Sequence, residues 1–380
     1  MRLPAALIPI YGTTLVDTLG YTLMIPLLPT VVREFHASDV TAGALLSVPA
    51  LFSTVAAPLW GSVSDRIGRK PIIIVAQVLS LAGYVMLALS HTLWLVFLSR
   101  IISGLGGGSL GAVESYVADV TTNDQREFAY SIYGAVFGLA FVIGPAASGA
   151  LLREGIALPF FLAAALEACN VVFTVLVLPQ RAPSRRRKTS VHDALEAAAE
   201  PGVRRVLLRQ FLFIFAVVVF LANFGLFVEK MLQISVAQAA YMLAAAGAVG
   251  GIALLLIVTP LAGRVGDVAT SQIGLMLGAT SYLLFTVARE RWLFATALVI
   301  WAVGAAMAEP SLTTILTKRA KKSERGAIMG LSDSVNSIAM IVGPAAGAAI
   351  VGASAPLLGV LPALASLVAL SLRGGASHER

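Results

Sequence analysis

Apolar runs of about 17 to 28 residues recur along the whole chain, each closed by a short polar stretch. A helix rises about 1.5 Å per residue, so each run is long enough to cross the roughly 30 Å of hydrocarbon in a bilayer. Strands of a membrane barrel would alternate apolar and polar residues, and these runs do not. Charged residues make up 12% of the chain and hydrophobic ones 58%, whereas soluble domains carry about 25% charge. The pattern predicts an all-α membrane protein with twelve crossings, near 5–32, 40–62, 71–90, 93–118, 129–152, 157–178, 207–228, 238–262, 270–288, 292–317, 326–351 and 356–372. The first run exceeds a signal peptide in length, holds Asp17 at its middle and lacks a small-residue cleavage site, so it reads as a retained helix.

An even number of crossings puts both termini on one side. With that side cytoplasmic, the inner loops collect Arg66, Arg69, Lys70, Arg126, the segment 181–209, Lys318, Arg319, Lys321, Lys322 and Arg325. The outer loops keep little more than Arg33, Arg153, Lys230, Arg289 and Arg291. The net charge of +7 is therefore a topology signal, as the positive-inside rule expects, and calls for no nucleic acid. The basic run 185–188 can touch anionic lipid headgroups at about 1 kcal/mol per charge. The single cysteine, Cys169, lies inside an apolar run and cannot form an intramolecular disulfide.

One long polar stretch divides the runs six and six. The expected organisation is a first half over 1–180, a cytoplasmic linker over 181–206 and a second half over 207–380. Residues 192–200 can form a short interfacial helix ended by Pro201 and Gly202. The halves resemble each other: the sequence around Gly144, Pro145 and Gly149 is repeated 199 residues later around Gly343 and Pro344. Gly61 to Asp65 is matched 202 residues later by Gly263 to Asp267. Duplicated halves in a membrane protein point to alternating access about a site near the midplane.

Gly61, Asp65, Arg66, Gly68, Arg69, Lys70 and Pro71 resemble the signature loop between the second and third helices of the major facilitator superfamily. Its charges can pair in one state and part in another, which makes it a cytoplasmic latch. The second half keeps Asp267 but loses the basic run, so gating is expected to depend on the halves unequally. The run from Leu15 to Thr30, with Asp17, Tyr21, Pro26 and Pro29, followed by Arg33-Glu34-Phe35, resembles the first helix of the twelve-helix drug:proton antiporters, especially the tetracycline exporters. The glycines and proline of the fifth run resemble their antiporter motif, with Ser148 where a glycine is usual. Small residues on one face allow close packing and a kink, and a general packing face is the plainer alternative.

Ionisable residues inside the runs each cost at least about 2.5 to 3.5 kcal/mol at the bilayer centre unless they face protein or water. Asp17, Arg100, Glu114, Glu309 and Asp333 are of this kind, with Asp17 roughly 18 Å and both Glu309 and Asp333 about 10 Å from the inner surface. The resemblance implies a cavity lined by runs one, four, seven and ten, hence by Asp17, Arg100, Glu114, Asn223 and Glu309, with Tyr21, Tyr116 and Phe224 as its aromatics. Asp17 is the expected proton carrier; the alternative is a fixed ion pair with Arg100 or a hydrogen-bonded structural acid. Arg100 resembles the fourth-helix arginine of the family, although the glutamine usual after it is Ile101 here. Glu309-Pro310 and Asp333 resemble acidic positions of the vesicular monoamine transporters, which implies cationic or zwitterionic substrates. Glu114 has a second reading as a solvated helix-end acid, and Glu167, in the sixth run, reads as structural or interfacial.

Gly106, Gly108 and Gly111 spell a dinucleotide fingerprint, and Gly107, Ser109 and Gly111 a hydrolase elbow, but neither sits between a strand and a helix. The four histidines have no metal spacing. No metal, cofactor or enzymatic activity is expected. The resemblance implies a monomeric exporter of small amphipathic molecules in a bacterial inner membrane, driven by protons and conferring drug resistance. Nutrient import and lipid or lysolipid flipping on the same fold are the alternatives.

Overall fold

The computed structural model describes residue 4 and residues 6–107, 110–180, 199–319 and 325–372. The basic run 185–188, most of the expected interfacial helix, Gly108, Ser109 and the tail after 372 lie outside the described residues. Regular structure among the described residues is helical throughout. The first part of the chain forms α1 (Leu7–Met24), α2 (Leu28–Glu34), α3 (Asp39–Ile67), α4 (Arg69–Ala88), α5 (Leu93–Gly107), α6 (Leu110–Val120), α7 (Asn123–Leu151) and α8 (Ala157–Val177). The second forms α9 (Pro201–Ala222), α10 (Phe224–Leu232), α11 (Val236–Ala253), α12 (Thr259–Val287), α13 (Arg291–Arg319), α14 (Arg325–Ala353) and α15 (Val360–Ser371).

Nine helical runs among the described residues are long and apolar enough to cross a membrane. One of them, Val236–Val287, holds 52 residues, twice what a crossing needs. It is broken at Gly266, whose φ of 83° and ψ of 160° are not helical. With that break, with α1 and α2 as one interrupted crossing and with the short apolar helix Ala355–Ser371, the arrangement is consistent with twelve.

Local chemistry sets the breaks. Pro26 follows the last turn of α1, and Pro29 falls in the first turn of α2, where its missing N–H costs nothing. Ser38 caps α3 by accepting from the Thr41 N–H at 3.3 Å. Thr122 and Gln125 close a capping box on α7. A helix closes at Ala199 and the chain bends at Glu200, where the interfacial helix is expected to end, and Pro201 then opens α9 at a position where proline is favoured. Gly68 separates α3 from α4 with φ 96° and ψ 166°, nearly the backbone of Gly266. These two turns lie 198 residues apart, close to the 199 that separates Pro145 from Pro344. The structural register of the repeat is thus 198 to 199, and the letter match at 202 is displaced from it.

The chain packs as two compact units, Met1–Arg186 with Ile234–Gly247, and Arg187–Gln233 with Ala248–Arg380. In the first, α1 packs against α7 and α8, and α4 against α5 and α8. Leu7, Ile10, Ile72, Ile73, Val113, Tyr116 and Val117 are buried together there. In the second, α9 packs against α14 and α15, and α12 against α13 and α15. Its core holds a ring cluster in which Phe220 stacks on Phe285 at 4.5 Å, and Tyr282 accepts from the Trp301 indole N–H at 2.9 Å. Large apolar side chains remain open on the outside: Leu176 is 76% exposed, Leu255 72% and Leu256 71%. In water such patches would aggregate, and in a bilayer they are the surface that lipid wets.

Alanine at Gly68 or Gly266 must hold a left-handed backbone, a cost of about 1–2 kcal/mol. Gly61 sits in α3 with open space where a Cβ would stand, so Gly61→Ala is expected to be neutral or slightly stabilising. Thermal unfolding of the three variants in detergent measures the contrast, and equal melting temperatures would contradict it.

Candidate functional site

Thr13, Asp17 and Tyr21 follow one another at four-residue steps along α1 and so share one helix face. Glu167, Asn170 and Thr174 do the same on α8 at steps of three and four, and Gln77 and Tyr84 on α4 at a step of seven. The packing brings these faces together. Thr13 and Thr174 share a hydrogen bond of 3.1 Å. The Asn170 amide donates to the Thr13 carbonyl at 3.2 Å and to Asp17 Oδ1 at 2.8 Å. Glu167 is fully buried, within hydrogen-bonding reach of the half-buried Asp17, and neither of its oxygens completes a hydrogen bond although the Asn170 amide lies beside it. Gln77, 2% exposed, also faces Asp17. Two ionised carboxylates about 4 Å apart repel by about 4 kcal/mol at an effective dielectric constant near 20, so such a pair is held together by a proton or a cation.

Arg100 on α5 is 2% exposed. It lines a narrow crevice with Tyr21, Met24, Ile25, Leu45, Leu46 and Pro49. Its Nη2 donates to Ser103 Oγ at 3.2 Å, while its Nε has no partner. Tyr84 packs its ring over Gly20 and acts electrostatically on Asp17, Glu167 and Arg100 together. Asp17 and Arg100 form no ion pair among the described residues, so the fixed-pair alternative is not the arrangement observed.

Of the other expected lining residues, Glu114 on α6 is half-buried, with its backbone carbonyl accepting from Tyr130. Glu309 on α13 and Asp333 on α14 are exposed, although both lie within apolar helices. A carboxyl open at membrane depth faces water or protein and not lipid. Tyr116, Asn223 and Phe224, expected in the cavity, are instead packed inside their own units. Tyr116 is 1% exposed and donates to the Pro179 carbonyl at 3.2 Å. Phe224 belongs to the ring cluster, 6.1 Å from Phe294. Asn223 donates to the Val219 carbonyl at 2.9 Å and to that of Pro344 at 3.2 Å, tying α9 to α14. A ring or amide left open in hydrocarbon would forfeit contacts or hydrogen bonds, which favours this internal packing, although the buried Asn223 Oδ1 is left without a donor.

The expected gating residues pack the first helix of each half against its fifth. Thr22 of α1 donates to the Ala140 carbonyl at 3.0 Å, and a Cβ on Gly144 would stand 2.8 Å from that of Thr22. In the other unit Asn223 reaches Pro344, while Gly343 meets Val218 and Gly347 meets Val219. Gly149 adjoins Ala237, and Ser148 is buried with its hydroxyl unpartnered.

In the signature loop the buried Arg69 meets Asp65 at 2.6 Å and Asp119 at 3.4 Å and donates to Ser64 at 2.6 Å, while Arg66 is exposed. One residue after the matching turn glycine of the second unit stands Asp267, and 199 residues after Asp119 stands Lys318. These two are paired at 2.6 Å. The contact is repeated with its polarity reversed, so Asp267 has lost the arginines but not a cation.

Glu167 was legible as an acid but not as the neighbour of Asp17, and Gln77, Tyr84, Asn170 and Thr174 were not singled out. The signal was present: polar residues at helical spacing on one face of otherwise apolar runs.

A family model described as Major Facilitator Superfamily matches residues 10–344. The class C tetracycline resistance protein of Escherichia coli is 28% identical over 365 residues, covering 93% of this chain and 92% of that protein. Multidrug resistance protein 1 of Bacillus subtilis (strain 168) is 26% identical over 332 residues, 87% of this chain and 85% of that one. Among solved structures, the human organic anion transporter MFSD10 (TETRAN) has a TM-score of 0.74 at 21% identity, covering 97% and 99% of the two chains, a likeness of fold.

Removing Arg69 leaves Asp119, whose side chain is only 14% exposed, without its cation. Arg69→Ala is therefore expected to cost about 3 kcal/mol. Lys318→Ala removes a cation that is 69% exposed, against 9% for Arg69, and although Asp267 is itself only 19% exposed the expected cost is smaller, about 1–2 kcal/mol. Equal shifts of the two variants in thermal unfolding would show that burial does not set the worth of these pairs.

Proposed function

The chain belongs to the Major Facilitator Superfamily, and from that membership we propose that it exports small amphipathic molecules, cationic or zwitterionic, in exchange for protons. The observation that carries the proton part is Asp17, a carboxyl in the middle of a membrane helix with an amide and a second acid beside it and no cation paired to it among the described residues. Tetracycline and multidrug resistance proteins that match nearly the whole chain support export and drug-like substrates.

In this reading the protein is a multi-pass membrane protein of an inner membrane with cytoplasmic termini, working as a monomer. Six-helix halves over 1–180 and 207–380, joined by the linker 181–206, alternate the access of one site between the two faces. Asp17 loads and unloads the proton with Arg100 nearby as the fixed positive charge. Tyr21, Glu114, Glu309 and Asp333 hold the substrate, because a cation and a proton compete for the same carboxylates. Arg69 with Asp65 and Asp119 latches the cytoplasmic end, and Gly144, Pro145, Gly149, Gly343 and Pro344 keep the moving helices closely packed. One proton moving down 100 mV supplies about 2.3 kcal/mol, enough for a concentration ratio of roughly fifty. Exchange of one proton for one monocation is electroneutral and takes nothing from that potential.

Proteoliposomes holding a pH-sensitive dye test this with tetracycline, tetraphenylphosphonium and an uncharged hydrophobic drug. Proton release on adding the charged compounds, reduced at least about tenfold in Asp17→Asn, is expected. Faster export of the uncharged drug would remove the substrate-charge part. Proton movement with none of them would favour import or lipid flipping on the same fold.

A further inference from the structure

We propose that Asp17 and Glu167 form a single proton-binding site in which one proton is shared between the two carboxyl groups. The role of this pair in transport rests on the antiport reading above; the shared proton itself does not.

The geometry has three parts. The two acids approach each other from α1 and α8, which are packed together along their length. Glu167 is completely closed off, whereas Asp17 is half-buried, so only one member of the pair opens on its surroundings. Neither oxygen of Glu167 completes a hydrogen bond with the protein, because the neighbouring Asn170 amide donates to Thr13 and Asp17, so a proton on Asp17 supplies Glu167 with a donor.

The ionisable side chains acting on the pair are Tyr84 from α4 and, through Tyr84, Arg100 from α5 and Tyr21 from α1. Asn170 and Gln77 add uncharged polar neighbours. The helices α6 and α7, also packed on α1, bring no further ionisable group to it among the described residues.

Loading adds a proton from water to an Asp17 oxygen, and the new O–H donates to a Glu167 oxygen. Release breaks that O–H, returns the proton to water and leaves two negative charges side by side. A cationic substrate group is the species that relieves them. Two carboxyls sharing a site titrate as a pair, so neither residue alone sets the pH at which the proton leaves.

Infrared difference spectroscopy of the purified protein at neutral pH, without substrate, reads the shared proton directly as the C=O stretch of a protonated carboxyl. The expected result is one such band lost in both E167Q and D17N and returned in E167D. A band lost in D17N but kept in E167Q, or kept in both, overturns the proposal. If E167Q does not yield folded protein, presence of the band in E167D and its absence in D17N decide the matter, and a folded E167D without the band counts against it.

Tetraphenylphosphonium-driven proton release then gives a second readout. E167Q is expected to transport with its pH profile displaced toward acid by about one unit, and the double variant to be no worse than D17N. An unmoved profile in E167Q would make Glu167 merely structural. If wild-type vesicles release no protons while the infrared band behaves as expected, antiport fails and the shared proton stands.

Discussion

Hydrocarbon offers no partner to a stray donor or acceptor, and that constraint shapes almost every polar contact in this chain. Helices satisfy their own backbones, so the question passes to the side chains. Thr14 and Thr22 turn their hydroxyls back to carbonyls four residues earlier at 2.9 Å. Tyr116, Asn223 and Trp301 find carbonyl or hydroxyl partners within their own units. Against that background Glu167 and Gln77 stand out among the described residues as buried side chains with no hydrogen bond at either polar atom. The two exposed acids, Glu309 and Asp333, solve the same problem by remaining open.

The helical architecture was legible because crossing a bilayer demands long uninterrupted apolar runs, and proline and glycine marked where they end. Gly68 and Gly266 interrupt helices near expected boundaries, whereas the break at Pro26 falls inside the run expected over 5–32. What one sequence withholds is which helix face meets which. The amide of Asn170 and the carboxyl of Asp17 are 153 residues apart, and nothing local in α8 says that its polar face turns to α1 and not to solvent. Tyr116 and Phe224 were expected in a cavity through family resemblance, but their rings gain more from packing, and both are buried. One letter match of the repeat, Gly61 to Asp65, aligns at 202, while the backbone turns, which sterics fix more firmly than side-chain identity, align at 198.

Reversal of the Arg69–Asp119 contact into Asp267–Lys318 shows what duplication preserved. The turn glycine and the meeting of two helix ends survive in both units. The sign of each charge does not, since attraction is unchanged when both partners swap. The two copies differ in burial: the guanidinium of Arg69 lies among protein atoms, while the ammonium of Lys318 is mostly in solvent. Equivalent positions therefore carry unequal energy, and the first copy, although its contact is the longer at 3.4 Å against 2.6 Å, is the one whose rupture is costly.

The helix that hides Glu167 from solvent also carries the chain's single thiol, and Cys169, two residues further on, is exposed. On an α-helix neighbours two apart point to nearly opposite sides, so one face of α8 holds the acid and the other meets the surroundings. A spin or fluorescent probe can thus be attached to the unaltered protein, with no cysteine to remove first. It would ride on the outside of the helix whose inner face touches Asp17, and report from there whether α8 moves as the carboxyl pair gains or loses its proton.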